Sequence, residues 1–153
     1  MTTDKSEMQV KSIKDGTVID HIPSDKLFQV VSILHLDEVE NEVTIGNHLA
    51  SRLMGTKGII KIAGRFFRED ELNKIALAAP ESKVNLIRDY EVVEKRVVCL
   101  PDRFKGVVRC ANPKCITNNE PMESEYVVVS RRPLRLKCVY CEKEMLADEL
   151  KLL

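Results

Sequence analysis

Two hydrophobic periods alternate along the first hundred residues. Gly16–Ile22 reads Gly-Thr-Val-Ile-Asp-His-Ile, a β-branched run opened by glycine and closed by Pro23, which predicts a strand. Ser24 stands where an N-cap belongs, and Leu27, Val30, Val31 and Leu34 follow at i, i+3, i+4 and i+7, one stripe of a helix. Residues 42–46 and 58–63 predict two more strands. The acidic stretch Asp37, Glu38, Glu40 and Glu42 reads as a solvated turn, and residues 47–57 as a loop. Glu69, Asp70 and Glu71 suit the positive end of a helix, Leu72, Ile75, Ala76 and Ala79 repeat the stripe, and Pro80 stops it. Residues 83–88 and 90–99 are extended, with a break near Arg88 and Asp89. The order β-α-β-β-α-β with one extra strand predicts an α+β, ferredoxin-like antiparallel sheet backed by two helices. Each helix has a single apolar stripe and covers one sheet face only, so the other face is solvated or used.

Lys61 lies within Ile-Ile-Lys-Ile, where strand alternation groups it with Ile59 and Lys57 on the face opposite Ile60 and Ile62. A solubilising role is its simplest reading. The alternative is a nucleotide site in which Lys61, His21 and Asp20 offer cations for phosphate and a carboxylate for ribose hydroxyls. A lone Asp20-His21 pair is more often structural than catalytic, and His48 reads as exposed. Neither Gly-x-x-x-x-Gly-Lys-Ser/Thr nor Gly-x-Gly-x-x-Gly occurs, and there is no nucleophile–base pairing, so an enzyme is not expected.

After Pro101 the pattern becomes short strands, at Val107 and Val108, residues 126–129 and residues 134–136, separated by Asn, Pro and Ser turns. We therefore divide the chain into residues 1–100 and an all-β segment of residues 101–153. So short a segment cannot easily offset chain entropy with a core of its own. Its cysteines supply the missing constraint. Cys110-x4-Cys115 and, twenty-two residues on, Cys138-x2-Cys141 place two thiol pairs on turns that can aim four sulfurs at one centre, as tetrahedral Zn2+ requires. Disulfides or independent buried thiols are the alternatives, and disulfides conflict with a cytoplasmic setting. No histidine follows His48, so four thiolates would fill the shell and make one Zn2+ per chain structural rather than catalytic. Cys99 reads as a small buried residue outside the pattern.

Composition narrows the classes further. The 153 residues carry 24 Lys and Arg against 24 Asp and Glu, a formal charge of zero, which argues against a protein that coats nucleic acid. Arg131, Arg132, Arg135 and Lys137 form a basic cluster that could contact phosphates, but neither Tyr126 nor Tyr140 lies inside it for base stacking. No apolar run approaches a membrane span and residues 1–20 lack a secretory h-region, so a cytoplasmic protein without membrane contact is expected.

Gly-Thr-Val-Ile-Asp-His-Ile-Pro at 16–23, Ile-Lys-Ile at 60–62, Val-Asn-Leu-Ile-Arg-Asp-Tyr-Glu-Val-Val at 84–93 and the four-cysteine spacing together resemble the regulatory chain of aspartate carbamoyltransferase. The resemblance implies an N-terminal allosteric domain that binds CTP, ATP and UTP, with Mg2+ as an accessory ion. It also implies a C-terminal zinc domain that docks on the catalytic chain, a regulatory homodimer, and no chemistry in this chain itself. Carried onto these positions, Asp20 and Lys61 would face ribose and base, and His21 and Lys95 the triphosphate, with Lys57 nearby. Val10, Ile13, Val18, Asn85, Ile87, Tyr90 and Val92 would line the pocket, with backbone near Ile13 and Tyr90 reading the base edge. Asn112, Lys114 and Glu142, beside the cysteines, would meet the catalytic chain; Lys114 stands where the family has Asn. The chain also has Glu7-Met8-Gln9-Val10 where the family has Lys before Leu-Gln-Val, which bears on a second, metal-bridged nucleotide site near Lys5 and Glu7.

Overall fold

Strand β1 (Gly16–Ile22) is buried at every residue but His21, and its position explains why: it is the middle strand of a five-stranded antiparallel sheet of order β2-β3-β1-β4-β5. This is a computed structural model; it describes residues 12–146, 149, 151 and 152. The other strands are β2 (Val43–Ser51), β3 (Gly55–Ala63), β4 (Lys83–Arg88) and β5 (Glu91–Val97). The chain falls into two units that divide between Cys99 and Leu100, and this sheet belongs to the first.

Helix α1 (Leu27–Ile33) buries Leu27, Val30 and Ile33, and Leu34 is buried just beyond its end. Its cap differs from the expected one. Lys26 occupies the N-cap without a side-chain bond, while the Ser24 hydroxyl pairs with Thr56 at 2.9 Å. Helix α2 (Glu69–Asn73) starts with the three acidic residues, and the Arg68 N–H donates to the Glu71 carboxylate at 3.1 Å. The second stripe continues as a 3-10 turn (Lys74–Leu77), and Ile75 and Ala79 are fully buried. With Ile19, Ile60, Ile62 and Val84, these side chains form the core between sheet and helices, each fully or nearly fully excluded from water.

Residues 47–57 are a hairpin, not a loop: β2 runs on to Ser51 and pairs with β3 from Gly55. The alternation was hidden because both neighbours of β3 insert one extra residue at the same level. Register shifts lie between Ile19 and Ile22 in β1 and between Gly46 and Leu49 in β2, opposite residues 57–60 of β3. A left-handed histidine sits in each shift, His21 at φ 59° and His48 at φ 56°. Histidine tolerates that conformation better than most side chains. At the β4–β5 turn, Asp89 and Tyr90 both have positive φ, 51° and 67°, the two-residue hairpin geometry that matches strand twist.

The second unit holds a four-stranded antiparallel sheet of order β10-β9-β8-β6. Its strands are β6 (Arg103–Lys105), β8 (Glu125–Arg131), β9 (Leu134–Cys138) and β10 (Glu144–Leu146). A two-stranded ribbon pairs β7 (Val108–Arg109) with β11 (Lys151–Leu152), and one helical turn, α3 (Ile116–Asn119), follows Cys115. Phe104, Val108, Tyr126, Leu136 and Met145 are its main buried side chains. Among the described residues, no helix is long and apolar enough to cross a membrane.

Candidate functional site

On the sheet face turned away from the helices, register collects most of the residues that the sequence singled out. Val18 pairs with Lys61 on β3 and with Asn85 on β4, and Asn85 pairs with Lys95 on β5, so these four share a face. Alternation adds Asp20, Ile59, Ile87 and Lys57 to it. Ile13, Val18, Ile59 and Ile87 form a buried apolar cluster, with Leu49, Ala63 and Val92 packed against it. Leu49 and Ala63 escaped the sequence reading, Leu49 because the hairpin that carries it was read as a loop.

The charged groups at the centre of this face are not solvated. Asp20 is 2% exposed, Lys57 1% and Lys61 6%, so Lys61 is no solubilising residue. Lys57 Nζ lies 3.0 Å from Asp20 Oδ1, and Nζ donates to Oδ2 at 3.3 Å. The His21 backbone N–H donates to Asp20 Oδ1 at 2.6 Å, and its ring Nδ1 lies 3.6 Å from Oδ2. The bulge thus folds the chain back so that a residue's own neighbour bonds its carboxylate. Burying such charges is costly unless they are paired, as here, or meet a charged ligand. Lys95 and Tyr90 lie exposed at the rim, and the Tyr90 N–H donates to the Lys14 carbonyl at 2.9 Å. Val10, Lys5 and Glu7 lie outside the described residues.

The second unit brings its four cysteines to one point. All four sulfurs lie within 4.8 Å of one another; Cys110 Sγ and Cys141 Sγ are 3.6 Å apart, Cys115 Sγ and Cys138 Sγ 3.7 Å. Four sulfurs at about 2.3 Å from one Zn2+ would stand about 3.8 Å apart, whereas a disulfide would need about 2.05 Å. The donor set and spacing fit a closed tetrahedral metal site. Burial pushes the Cys110 thiol up to about 12 and raises Cys138 as well. For Cys141 burial acts in the same direction, but hydrogen bonds from the Lys143 backbone, the Asn112 side chain, Cys110 and Cys138 outweigh it and bring the thiol to about 7. Metal uptake must displace the remaining protons, so affinity falls as pH falls. Cys99 is exposed and stands apart, contrary to the buried position expected for it.

Backbone and amide bonds hold the turns that carry these sulfurs. Asn118 Nδ2 donates to the Cys110 and Asn112 carbonyls at 2.9 and 2.8 Å, and Asn119 Nδ2 to the Cys115 carbonyl at 2.8 Å. The polar run Thr117-Asn118-Asn119 after Cys115 was the available signal for them. Asn112 Oδ1 accepts the Lys114 N–H at 3.0 Å. Glu142 adopts φ 63° and donates its N–H to the Cys138 carbonyl at 2.9 Å. Replacing Glu142 by Gly is expected to stabilise the chain by up to about 1 kcal/mol, since glycine takes this conformation without a Cβ clash. A raised melting temperature would record it; an unchanged or lowered one would mean that the carboxylate contributes more than the conformation costs.

The basic cluster is partly committed elsewhere. Arg131 donates to the Leu100 carbonyl at 2.7 Å and to Asp102 at 2.6 Å, and Lys137 stands opposite Glu144 in the β9–β10 register. Arg131 thus ties β8 to the start of the unit, while Arg132 and Arg135 are exposed.

Similarity to known proteins follows the same two-part division. Residues 8–99 match the family described as aspartate carbamoyltransferase regulatory chain, allosteric domain, and residues 102–151 match the metal binding domain of the same regulatory chain. A protein of Phocaeicola vulgatus is 52% identical over 153 residues, 100% of this chain and 99% of its own length. One from Porphyromonas gingivalis is 53% identical over 149 residues, 97% and 99% of the two chains. One from Pyrococcus abyssi is 48% identical over 147 residues, 95% and 97%. Each of the three carries the name aspartate carbamoyltransferase regulatory chain.

Proposed function

The chain belongs to the family of aspartate carbamoyltransferase regulatory chains, and on that premise we propose that nucleotides bind the open sheet face and bias a catalytic chain held by the metal unit. It is a non-catalytic subunit of a pyrimidine-pathway enzyme. The observation that carries the nucleotide reading is the burial of Asp20, Lys57 and Lys61 beside an apolar floor. A base and sugar suit the floor formed by Ile13, Val18, Ile87 and Val92; a triphosphate suits the cationic end, with Lys95 and His21 at its margin. CTP, ATP and UTP share the features this face reads, a flat base and a chain of phosphates, and Mg2+ accompanies the triphosphate.

The resident metal of the second unit is Zn2+, held by Cys110, Cys115, Cys138 and Cys141 and structural in role. Residues 101–153 carry 10 basic and 8 acidic side chains, and four thiolates with one Zn2+ contribute −4 + 2 = −2, so the loaded unit is near neutral. Asn112, Lys114 and Glu142, on the turns the metal fixes, contact the catalytic chain. A regulatory homodimer in the cytoplasm, without nucleic-acid or membrane contact, completes the assembly. A ligand can shift the quaternary equilibrium only through its different affinities for the two states, and couplings of about 1–3 kcal/mol are typical.

Calorimetric titration of the full chain with CTP, ATP and UTP tests this reading. Saturable heats are expected for all three, each abolished by prior saturation with another. Absence of binding by all three would overturn the assignment.

A further inference from the structure

One strained turn lies just upstream of the first metal ligand. Gly106 and Val107 both have positive φ, 68° and 71°, and the Val108 N–H donates to the Gly106 carbonyl at 2.7 Å. This closes a three-residue turn of the rarer hand around a β-branched residue, a combination that L side chains disfavour. Such backbone persists only where its surroundings hold it.

The holding groups are two buried hydroxyls. Ser124 Oγ donates to the Val108 carbonyl at 2.8 Å and Tyr126 Oη to the same oxygen at 3.3 Å. The Ser124 carbonyl in turn accepts the Gly106 N–H at 2.8 Å. Val108 and Tyr126 are fully buried. Tyr126 also stands opposite Cys138 in the β8–β9 register, so one side chain reaches from the strand beside the second cysteine pair to the strand that delivers the first. β7 itself is only Val108–Arg109, paired with two residues of β11, so the chain entering Cys110 has a short ladder of its own, while Asn118 holds the Cys110 carbonyl from the other side.

We propose that Ser124 and Tyr126 are positioning residues for the metal: their hydroxyls clamp the Val108 carbonyl and lock the left-handed turn at Val107, so that Cys110 meets the other three thiols at tetrahedral distance. The clamp rests on the reading that the four thiols hold a metal. It acts through the backbone, since neither hydroxyl is a metal ligand.

The test uses the full chain loaded with Zn2+ or Co2+. The Ser124→Ala/Tyr126→Phe double variant is expected to release Zn2+ to a chelating dye about tenfold faster than the parent, the lower end of what loss of groups supporting metal ligands costs in affinity. The visible bands of its Co2+ form are expected to shift or broaden, which a loss of stability alone would not produce. Adding Val107→Gly removes the strain that the hydroxyls restrain, and is expected to return the release rate to within about threefold of the parent. If the double variant fails to fold, Tyr126→Phe, which keeps the ring, carries the same comparison. Parental release and parental Co2+ bands in the double variant, or no recovery on adding glycine, would overturn the clamp. A parent chain that takes up neither Zn2+ nor Co2+ would overturn the metal reading beneath it.

Discussion

Cys138→Ser is expected to unfold the second unit and leave the first folded. The argument is one of scale. The unit begins at Leu100, and its buried side chains are few, Phe104, Val108, Tyr126, Leu136 and Met145 among them. A core in a segment of this size rarely supplies more than about 3–5 kcal/mol, whereas a structural Zn2+ bound by cysteines contributes on the order of 10–16 kcal/mol near neutral pH. Cys138 is fully buried, and its sulfur lies 3.7 Å from Cys115. Serine there would offer a poor ligand and leave a buried hydroxyl among thiols. Amide exchange on the full chain reads the result unit by unit. Protection is expected to vanish from β6, β8, β9 and β10 and to remain in β1 to β4. Co-purification with a catalytic chain is expected to be lost with it, because Asn112, Lys114 and Glu142, the residues proposed for that contact, lie beside the four cysteines. Retained protection in β8 and β9 of the metal-free chain would refute a structural metal.

The four-cysteine cluster was legible in the sequence because its chemistry is local. Two short cysteine spacings name its members without any knowledge of the strands between them. The apolar stripes of both helices, and the strands of the first sheet outside the β2–β3 hairpin, were legible for a similar reason, since burial on one face imposes a period. What stayed hidden depends on register. The hairpin at residues 47–57 could not be read because the bulges at His21 and His48 break the alternation where it would have signalled a strand. The N-cap was missed because Ser24 prefers Thr56, thirty-two residues away, to the first turn of its own helix. Lys61 shows the limit most clearly. Its side of the strand follows from parity, but its burial depends on Val18, Ile87 and Leu49 arriving from other strands. Cys99 was misjudged in the opposite direction: a small apolar residue beside Val98 reads as core, yet only Val98 turns inward.

Nucleotide affinity is expected to fall by about a hundredfold or more in Lys61→Ala, with assembly on the catalytic chain intact. Lys57 and Lys61 are both buried at the open face, but Lys57 already lies 3.0 Å from Asp20, so it cannot replace a cation lost at 61 without giving up that pair. Removing one charged partner from a desolvated contact costs about 2–5 kcal/mol, and about 2.7 kcal/mol is a hundredfold. Two further variants separate binding from stability. Lys95 is exposed, so Lys95→Ala is expected to leave melting unchanged and to weaken triphosphate binding about tenfold, an effect that fades as salt screens the exposed charge. Asp20→Asn is expected to lower stability as well as affinity. It leaves the Lys57 charge buried without its carboxylate, and breaking a buried pair in this way costs about 3–5 kcal/mol of stability, seen as a marked fall in melting temperature of the first unit. A site built on the buried cations therefore predicts three distinct signatures from three residues on one sheet face. An unchanged CTP titration in Lys61→Ala would remove Lys61 from the site. Equal losses of stability and affinity in all three would show that the charges serve the fold of the sheet rather than its ligand.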